Sequence, residues 1–218
     1  MNSKITAGAV CALLLVTRWL VDLKRRYRSE GYWREKFSWI QNEHLELLRF
    51  AIPLLNETTW WLTSGNLLGL VRHKNRYIPW DDDMDVVILD DHKWQGFVKQ
   101  VKSPWSLKKK FYGWDLHHID FPHAKIDLFV MKEDGGEVRG TAGFQKEWPT
   151  EYYIRDELFP LQQSTFEGID VPIPKQPVPF LRRTYGENWN RPRCTKIHQG
   201  NPFEKVFAFL LGGGDIQS

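Results

Sequence analysis

Cysteine is scarce in this chain. Only Cys11, in the apolar N-terminus, and Cys194, near the C-terminus, occur among 218 residues. That placement excludes a disulfide framework and a cysteine-ligated zinc site. Charge of one sign is lacking too: 30 Lys and Arg against 27 Asp and Glu leave a net +3. The excess is local, in Arg18, Lys24, Arg25, Arg26 and Arg28 beside an apolar segment. Such a cluster reads as membrane-flanking before it reads as a nucleic-acid footprint, so no nucleic-acid partner is expected. Lys108-Lys109-Lys110 reads as a solvated loop. There is no internal repeat. A clean run of about 20 apolar residues is missing as well. Ile5 to Thr17 is apolar or small, and Trp19 to Val21 extends it only if Arg18 snorkels toward a headgroup layer.

Three readings of that N-terminal segment compete: a signal-anchor helix, a cleaved signal peptide, or an amphipathic surface anchor. No small-x-small cleavage site precedes a polar mature start, and length favours an uncleaved single-pass anchor, in the Golgi or ER if the source is eukaryotic. Its orientation is open. The positive-inside rule keeps the following domain cytosolic, whereas the sequon Asn56-Glu57-Thr58 is usable only in a lumen.

What the chain has in plenty is aromatic residues, with 11 Trp, 13 Phe and 7 Tyr within a hydrophobic content of 42%. That is ample for one compact domain with accessories. The expected organisation is a membrane anchor and basic flank over 1–28, a catalytic domain over 29–205 and a tail over 206–218, mobile from Gly212 to Ser218. Apolar spacing predicts a helix over 31–52 closed by Pro53, with His44 on its packed stripe. Thr58 to Thr63 reads as a strand, Ser64-Gly65-Asn66 as a turn, and Leu67 to Val71 as a short helix. Met84 to Leu89 and Ala124 to Met131 read as buried strands, with a helix from Asp90 or Asp91 to about Val101 between them. Residues 102–114 read as loop and weak strand, and 134–143 as a hairpin. Short strands are expected at 157–161 and 166–174, then a last helix over 179–185 ended by Gly186. His117, His118 and His123 with Asp120 lack the spacing of a zinc site and read as a solvated loop.

The most informative stretch is Ile78-Pro-Trp-Asp-Asp-Asp-Met-Asp85, which places Asp81, Asp82, Asp83 and Asp85 directly before an apolar run. On a strand the period of two sends Asp83 and Asp85 to one face. Like charges that close need a cation between them or a proton, and oxygen donors at this density suit Mg²⁺ or Mn²⁺. An EF-hand is excluded, because Val86 and His92 stand where its Gly and Glu belong. An Asp-x-Asp glycosyltransferase fits Asp83-Met-Asp85 but leaves the Ser-Gly turn and Asp127 unexplained. Asp127 is a lone carboxylate in an apolar strand, costly unless paired or metal-bound. A polymerase-β-type nucleotidyltransferase layout uses all the parts. A Ser-Gly turn meets phosphate, two strand carboxylates hold Mg²⁺, and a third completes the site.

Here the sequence resembles the LicD/fukutin-related phosphotransferases. The resemblance is carried by Ser64-Gly-Asn-Leu-Leu-Gly69, Val71-Arg-His-Lys74, Ile78-Pro-Trp-Asp-Asp-Asp-Met-Asp85 and Lys125-Ile-Asp-Leu-Phe129. It continues in Asp156-Glu-Leu-Phe-Pro-Leu161, Phe166-Glu-Gly168, Val171-Pro-Ile-Pro174 and Leu181-Arg-Arg-Thr-Tyr-Gly186 with Trp189. It implies an α+β nucleotidyltransferase (polymerase-β-like) fold, a mixed central sheet flanked by helices behind the N-terminal anchor helix. The implied reaction moves a phospho-alcohol, phosphocholine or a polyol phosphate, from a CDP-linked donor to a glycan hydroxyl, releasing CMP. Asp83, Asp85 and Asp127 would be catalytic, and Asp81, Asp83, Asp85 and Asp127 the metal ligands. Ser64, Gly65 and Asn66 would line the phosphate turn, with Arg72, His73 and Lys74 neutralising the diphosphate. Asn66 departs from the family's common Thr, and the cysteine-rich zinc loop of some animal members is missing. A catalytically silent relative that binds a glycan or a partner enzyme is the alternative from another class.

Overall fold

The structure is a computed structural model that describes residues 2–27, 29–192 and 206. Arg28, Cys194, the end of the expected catalytic domain and the expected tail, Val206 apart, lie outside the described residues. The chain divides into two compact units, one of residues 1–36 and 191–218, the other of 37–190.

The first unit is built on α1 (Asn2–Tyr27). Val10, Leu13, Leu14, Leu15, Val16 and Trp19 are all exposed along it. Among the described residues no helix is long and apolar enough to cross a membrane, so the expected single-pass anchor is not supported. Arg18 and Asp22 interrupt the apolar run, and Lys24, Arg25 and Arg26 fill its last turn.

The second unit is α+β. From Phe37 onward, α2 (Glu30–Leu55) buries Phe37, Ile40, His44, Leu47, Leu48 and Ala51. Pro53 lies inside this helix rather than closing it. A proline there removes one bond to the preceding turn, and the helix still continues two residues to Leu55. β1 (Trp60–Leu62) leads through Thr63 into α3 (Ser64–Arg72). Ser64-Gly65-Asn66 is thus the first turn of the helix, not a loop before it. β2 (Asp85–Leu89) and α4 (His92–Gln100) follow as expected, and the Asp91 side chain caps α4 by accepting from the amides of Lys93 and Trp94.

Residues 102–114 are more regular than their sequence indicates. β3 (Trp105–Lys110) and β4 (Gly113–His118) form an antiparallel ribbon, which takes in the lysine run and two of the histidines read as loop. His118 is buried. β5 (Ile126–Asp134) turns back through β6 (Glu137–Gly140). After α5 (Ala142–Glu147) come β7 (Tyr153–Ile154) and α6 (Arg155–Leu158), a helical turn where a strand over 157–161 was expected. β8 (Gln162–Phe166) and β9 (Ile169–Ile173) make a separate hairpin, and α7 (Pro177–Tyr185) ends at Gly186.

The main sheet runs β1-β2-β5-β4-β3, with β6 joining β5 and β7 joining β6. β2 and β5 are parallel, and the other pairings are antiparallel. Val86, Val87, Ile88, Ile126 and Leu128 have no exposed surface, so the centre of the sheet is covered on both faces. This mixed sheet flanked by helices matches the expected α+β class.

Candidate active site

The site begins with a register. Asp85 on β2 lies opposite Asp127 on β5, and Asp127 lies opposite Asp115 on β4. Residues opposite one another share a face of the sheet. Three carboxylates separated by many residues of chain therefore form a row across three strands.

The acidic loop before β2 is held by its neighbours. The amide of Gln41, on α2, donates to the carbonyls of Ile78 (3.0 Å) and Asp81 (2.7 Å). Asn66 is fully buried. Its Nδ2 donates to the Asp83 carbonyl at 3.2 Å, and its Oδ1 accepts from the Asp85 amide at 2.6 Å. It thus brackets the backbone of the Asp-Met-Asp segment as a neighbouring strand would. Gly65 lies against Asp81, for a Cβ at Gly65 would fall 2.6 Å from Asp81 Oδ2. Ser64 starts α3 at φ +47°, a conformation costly for a side-chain-bearing residue and concentrated at functional sites. Its hydroxyl donates to Glu151 Oε2 at 3.1 Å.

Among the described residues, the group able to hold a metal ion is Asp81, Asp82 and Asp83, whose carboxylate oxygens come within 4.8 Å of one another. Asp82 joins this group, while Asp85 and Asp127 lie outside it. Anionic oxygen donors at that spacing fit a hard divalent cation. His44, on the buried stripe of α2, has its pKa lowered to about 4 by burial, against the raising effect of Asp83 and Asp82.

Burial, reinforced by Asp83, Asp127 and Asp81, pushes Asp85 well above the ordinary carboxyl range. Asp127 rises to about 6, chiefly through burial, with Lys125 pulling the other way. Glu151 rises to about 7 through burial, partly offset by the Ser64 hydroxyl. Asp115 differs. Burial works to raise it, but the Tyr112 hydroxyl, Asp127, Lys125 and Lys110 together hold it low. Lys125 pairs with Asp127 and lies 3.9 Å from Asp115. Lys110 lies 3.1 Å from Asp115. Tyr112 donates toward both carboxylates, at 2.6 Å to Asp115 and 3.1 Å to Asp127.

The six residues expected to meet phosphate are divided by the fold. Ser64, Gly65 and Asn66 open α3, beside Asp81, Asp83 and Asp85, whereas Arg72 closes that helix and His73 and Lys74 follow it. A rise of 1.5 Å per residue puts the two groups about 12 Å apart. Arg72 donates to the Trp189 carbonyl and to His73 Nε2. Sequence reasoning missed Asp115, Tyr112 and Glu151. A period-two pattern around Asp115, with Leu116 apolar and the next polar residue at His117, was the one signal available for β4. Glu151 sits in a loop and had none.

Carboxylates gathered from adjacent strands and an acidic loop, beside a helix N-terminus, define a class of protein: an α+β domain whose site suits a divalent cation and a phosphate. The family follows from comparison. The LicD/FKTN/FKRP nucleotidyltransferase-domain model matches residues 57–176, more than half of the 218-residue chain, and the chain belongs to that family. It is similar to an uncharacterized protein of Rickettsia prowazekii, at 28% identity over 163 residues, covering 72% of this chain and 60% of the other. It is also similar to the ribitol-5-phosphate transferase FKTN of Homo sapiens, at 26% identity over 154 residues. That match covers 67% of this chain and 33% of the relative. The mouse FKTN matches at 26% over 164 residues. The chain thus spans 60% or less of the length of these relatives.

Proposed function

We propose that this chain is a metal-dependent phosphotransferase that moves a phospho-alcohol from a CDP-linked donor to a glycan hydroxyl, releasing CMP. The observation that carries the reading is the alignment of Asp85 with Asp127 across the parallel pair β2 and β5, with Asp83 and Asp81 of the acidic cluster near enough to raise Asp85. Family membership supports the transferase class, and similarity to the ribitol-5-phosphate transferase FKTN supports a polyol phosphate as cargo. The chemistry is assigned to the expected 29–205 domain of nucleotidyltransferase type, with 1–28 as a membrane-attachment segment and 206–218 as a tail.

Asp81, Asp83, Asp85 and Asp127, joined by Asp82, would hold Mg²⁺ or Mn²⁺. When bound, such an ion neutralises diphosphate charge and eases departure of CMP. The residues themselves have distinct tasks. Ser64 and Gly65, at the start of α3, offer backbone N–H groups to phosphate oxygens. Asn66 fixes the spacing of Asp83 and Asp85. Arg72, His73 and Lys74, at the other end of α3, compensate donor charge. Asp127, with its raised pKa and its Lys125 partner, accepts the proton of the attacking hydroxyl. Asp115 orients Lys125 and Tyr112 around it.

A thermal-shift screen over CDP-choline, CDP-ribitol, CDP-glycerol and UDP- and GDP-sugars, with and without Mg²⁺, tests the donor class. A Mg²⁺-dependent shift confined to CDP compounds is expected. A shift confined to UDP- or GDP-sugars would move the reading to an Asp-x-Asp glycosyltransferase, and none at all to a silent binding relative. Full turnover of the CDP-alcohol by both Asp83→Asn and Asp127→Asn would end the proposed mechanism.

A further inference from the structure

We infer that Phe111, Tyr112 and Trp148 form an aromatic platform that stacks the sugar ring of the acceptor beside Asp127. The inference rests on the phosphotransferase reading above and adds to it the seat of the acceptor ring. Phe111 sits in the turn between β3 and β4 with 53% of its surface exposed. Its ring stacks on Trp148 at 5.5 Å between centroids and 21° between planes. Tyr112 stands edge-on to Phe111 at 5.1 Å.

An exposed phenylalanine alone means little. This one is built in. The Phe111 carbonyl accepts from the Thr141 hydroxyl at 2.7 Å, which ties the turn to the start of α5. Gly113, at φ +148°, pairs with Phe129 where β4 runs so close beside β5 that a Cβ there would lie 2.1 Å from the Leu128 carbonyl oxygen. The turn is thereby fixed against the strand that carries Asp127. Trp148 is held at the end of α5 by its backbone N–H, which donates to the Phe144 carbonyl at 2.8 Å, and its own carbonyl accepts from the Glu151 amide at 3.1 Å. Glu151 in turn accepts from Ser64. Both edges of the platform are therefore fastened to the acidic site, one through the Tyr112 hydroxyl on Asp127 and the other through Glu151.

Position decides what the platform holds. One tyrosine ring separates the stacked pair from Asp127. The acceptor hydroxyl must come to Asp127, whereas a donor nucleobase stands off from the reacting phosphorus by its ribose and a phosphate. A pyranose also matches the surface: its C–H face is apolar and packs on an aromatic ring, while its hydroxyls stay at the edge.

Saturation-transfer NMR on the full chain, with methyl β-galactoside, methyl β-glucoside and methyl N-acetyl-β-galactosaminide as probes, tests this. Binding of CDP in Mg²⁺ by calorimetry is measured in parallel. At least one glycoside should receive saturation from the native protein. Phe111→Ala should weaken its binding about three- to tenfold, the scale of one aromatic contact, and Phe111→Trp should restore it. Absence of any glycoside signal from the native protein, or an equal signal from Phe111→Ala, overturns the platform. So does weakened CDP binding with glycoside binding intact, which would seat the nucleobase there instead. If the native protein binds a glycoside through Phe111 but never binds CDP, the platform stands and the donor reading falls.

Discussion

Asn66 shows how much one amide side chain can set in an acidic site. Its two ends meet the backbone two residues apart, at Asp83 and Asp85, and so fix where both carboxylates begin. Asn66→Ala leaves the partly buried Asp83 carbonyl and Asp85 amide without this partner. A loss of about 2–4 kcal/mol is expected from those unmet groups, read by urea denaturation. Gly65 makes a contrasting case. Its Cβ would strike the end of the Asp81 side chain, which can swing aside, so Gly65→Ala should cost less than about 1 kcal/mol of stability. The displaced carboxylate should instead weaken Mg²⁺ binding, and calorimetric titration of Mg²⁺ separates the two effects. The acidic run was legible residue by residue because four aspartates in five positions are rare outside a binding role. Asn66 was legible only as part of a turn, since its partners lie across a fold that local sequence does not describe.

Among the elements, α3 is positioned from its N-terminal side by an aromatic hub. Tyr153 on β7 stacks on Phe180 of α7 at 4.2 Å and 5°, and meets Trp61 of β1 edge-on at 5.4 Å. Its hydroxyl lies 2.5 Å from Thr63 Oγ1, immediately before Ser64. Four elements thus meet at one side chain next to the first turn of α3. Tyr153→Phe should keep the packing and lose about 1 kcal/mol with the hydrogen bond, measured by chemical denaturation. The start of α3 should then loosen, seen as faster exchange of the Leu67 amide, which donates to the Thr63 carbonyl at 2.9 Å. The strands β2 and β5 were readable from apolar runs, while β3 and β4 were not. The alternation in the ribbon mixes lysine, tryptophan and histidine, so the contrast between its faces is weak in sequence. Pro53 misled for a related reason: a proline near the end of a helix costs one bond, and packing of the buried stripe outweighs it.

For the molecule as a whole, the proposed metal site would set protons against the ion. Glu151 and Asp127 hold their protons more tightly folded than unfolded, at about 7 and about 6. Their contribution to stability is full at low pH and is lost as pH rises through those values. His44, held down to about 4, acts in the opposite sense below the ordinary histidine range, so the carboxylates are best observed above about pH 6.5. In EDTA, stability should fall by on the order of 1 kcal/mol between pH 6.5 and 8 as Glu151 loses its proton. Mg²⁺ should raise the melting temperature more at pH 8 than at pH 6.5, because fewer protons compete for the oxygens. Calorimetric melts across that range with and without Mg²⁺ check both signs. A melting temperature that rises with pH in EDTA would mean that the carboxylates are not held protonated by burial.

The sequence by itself determined that a dense carboxylate run meets a buried strand and that a second apolar strand carries one carboxylate. Those are local facts of residue type and period, and they suffice for the α+β class, while the family rests on the ordered motifs between Ser64 and Trp189 and on the match over residues 57–176. Tertiary structure alone decided which strands are neighbours, and with that the register of Asp85 on Asp127 and Asp127 on Asp115. It also decided that Arg72 and Ser64 stand at opposite ends of one helix, and that Phe111 and Trp148 stack beside the site. Pairing and distance between remote segments depend on how the whole chain buries its apolar surface, and no short stretch of residues carries that information.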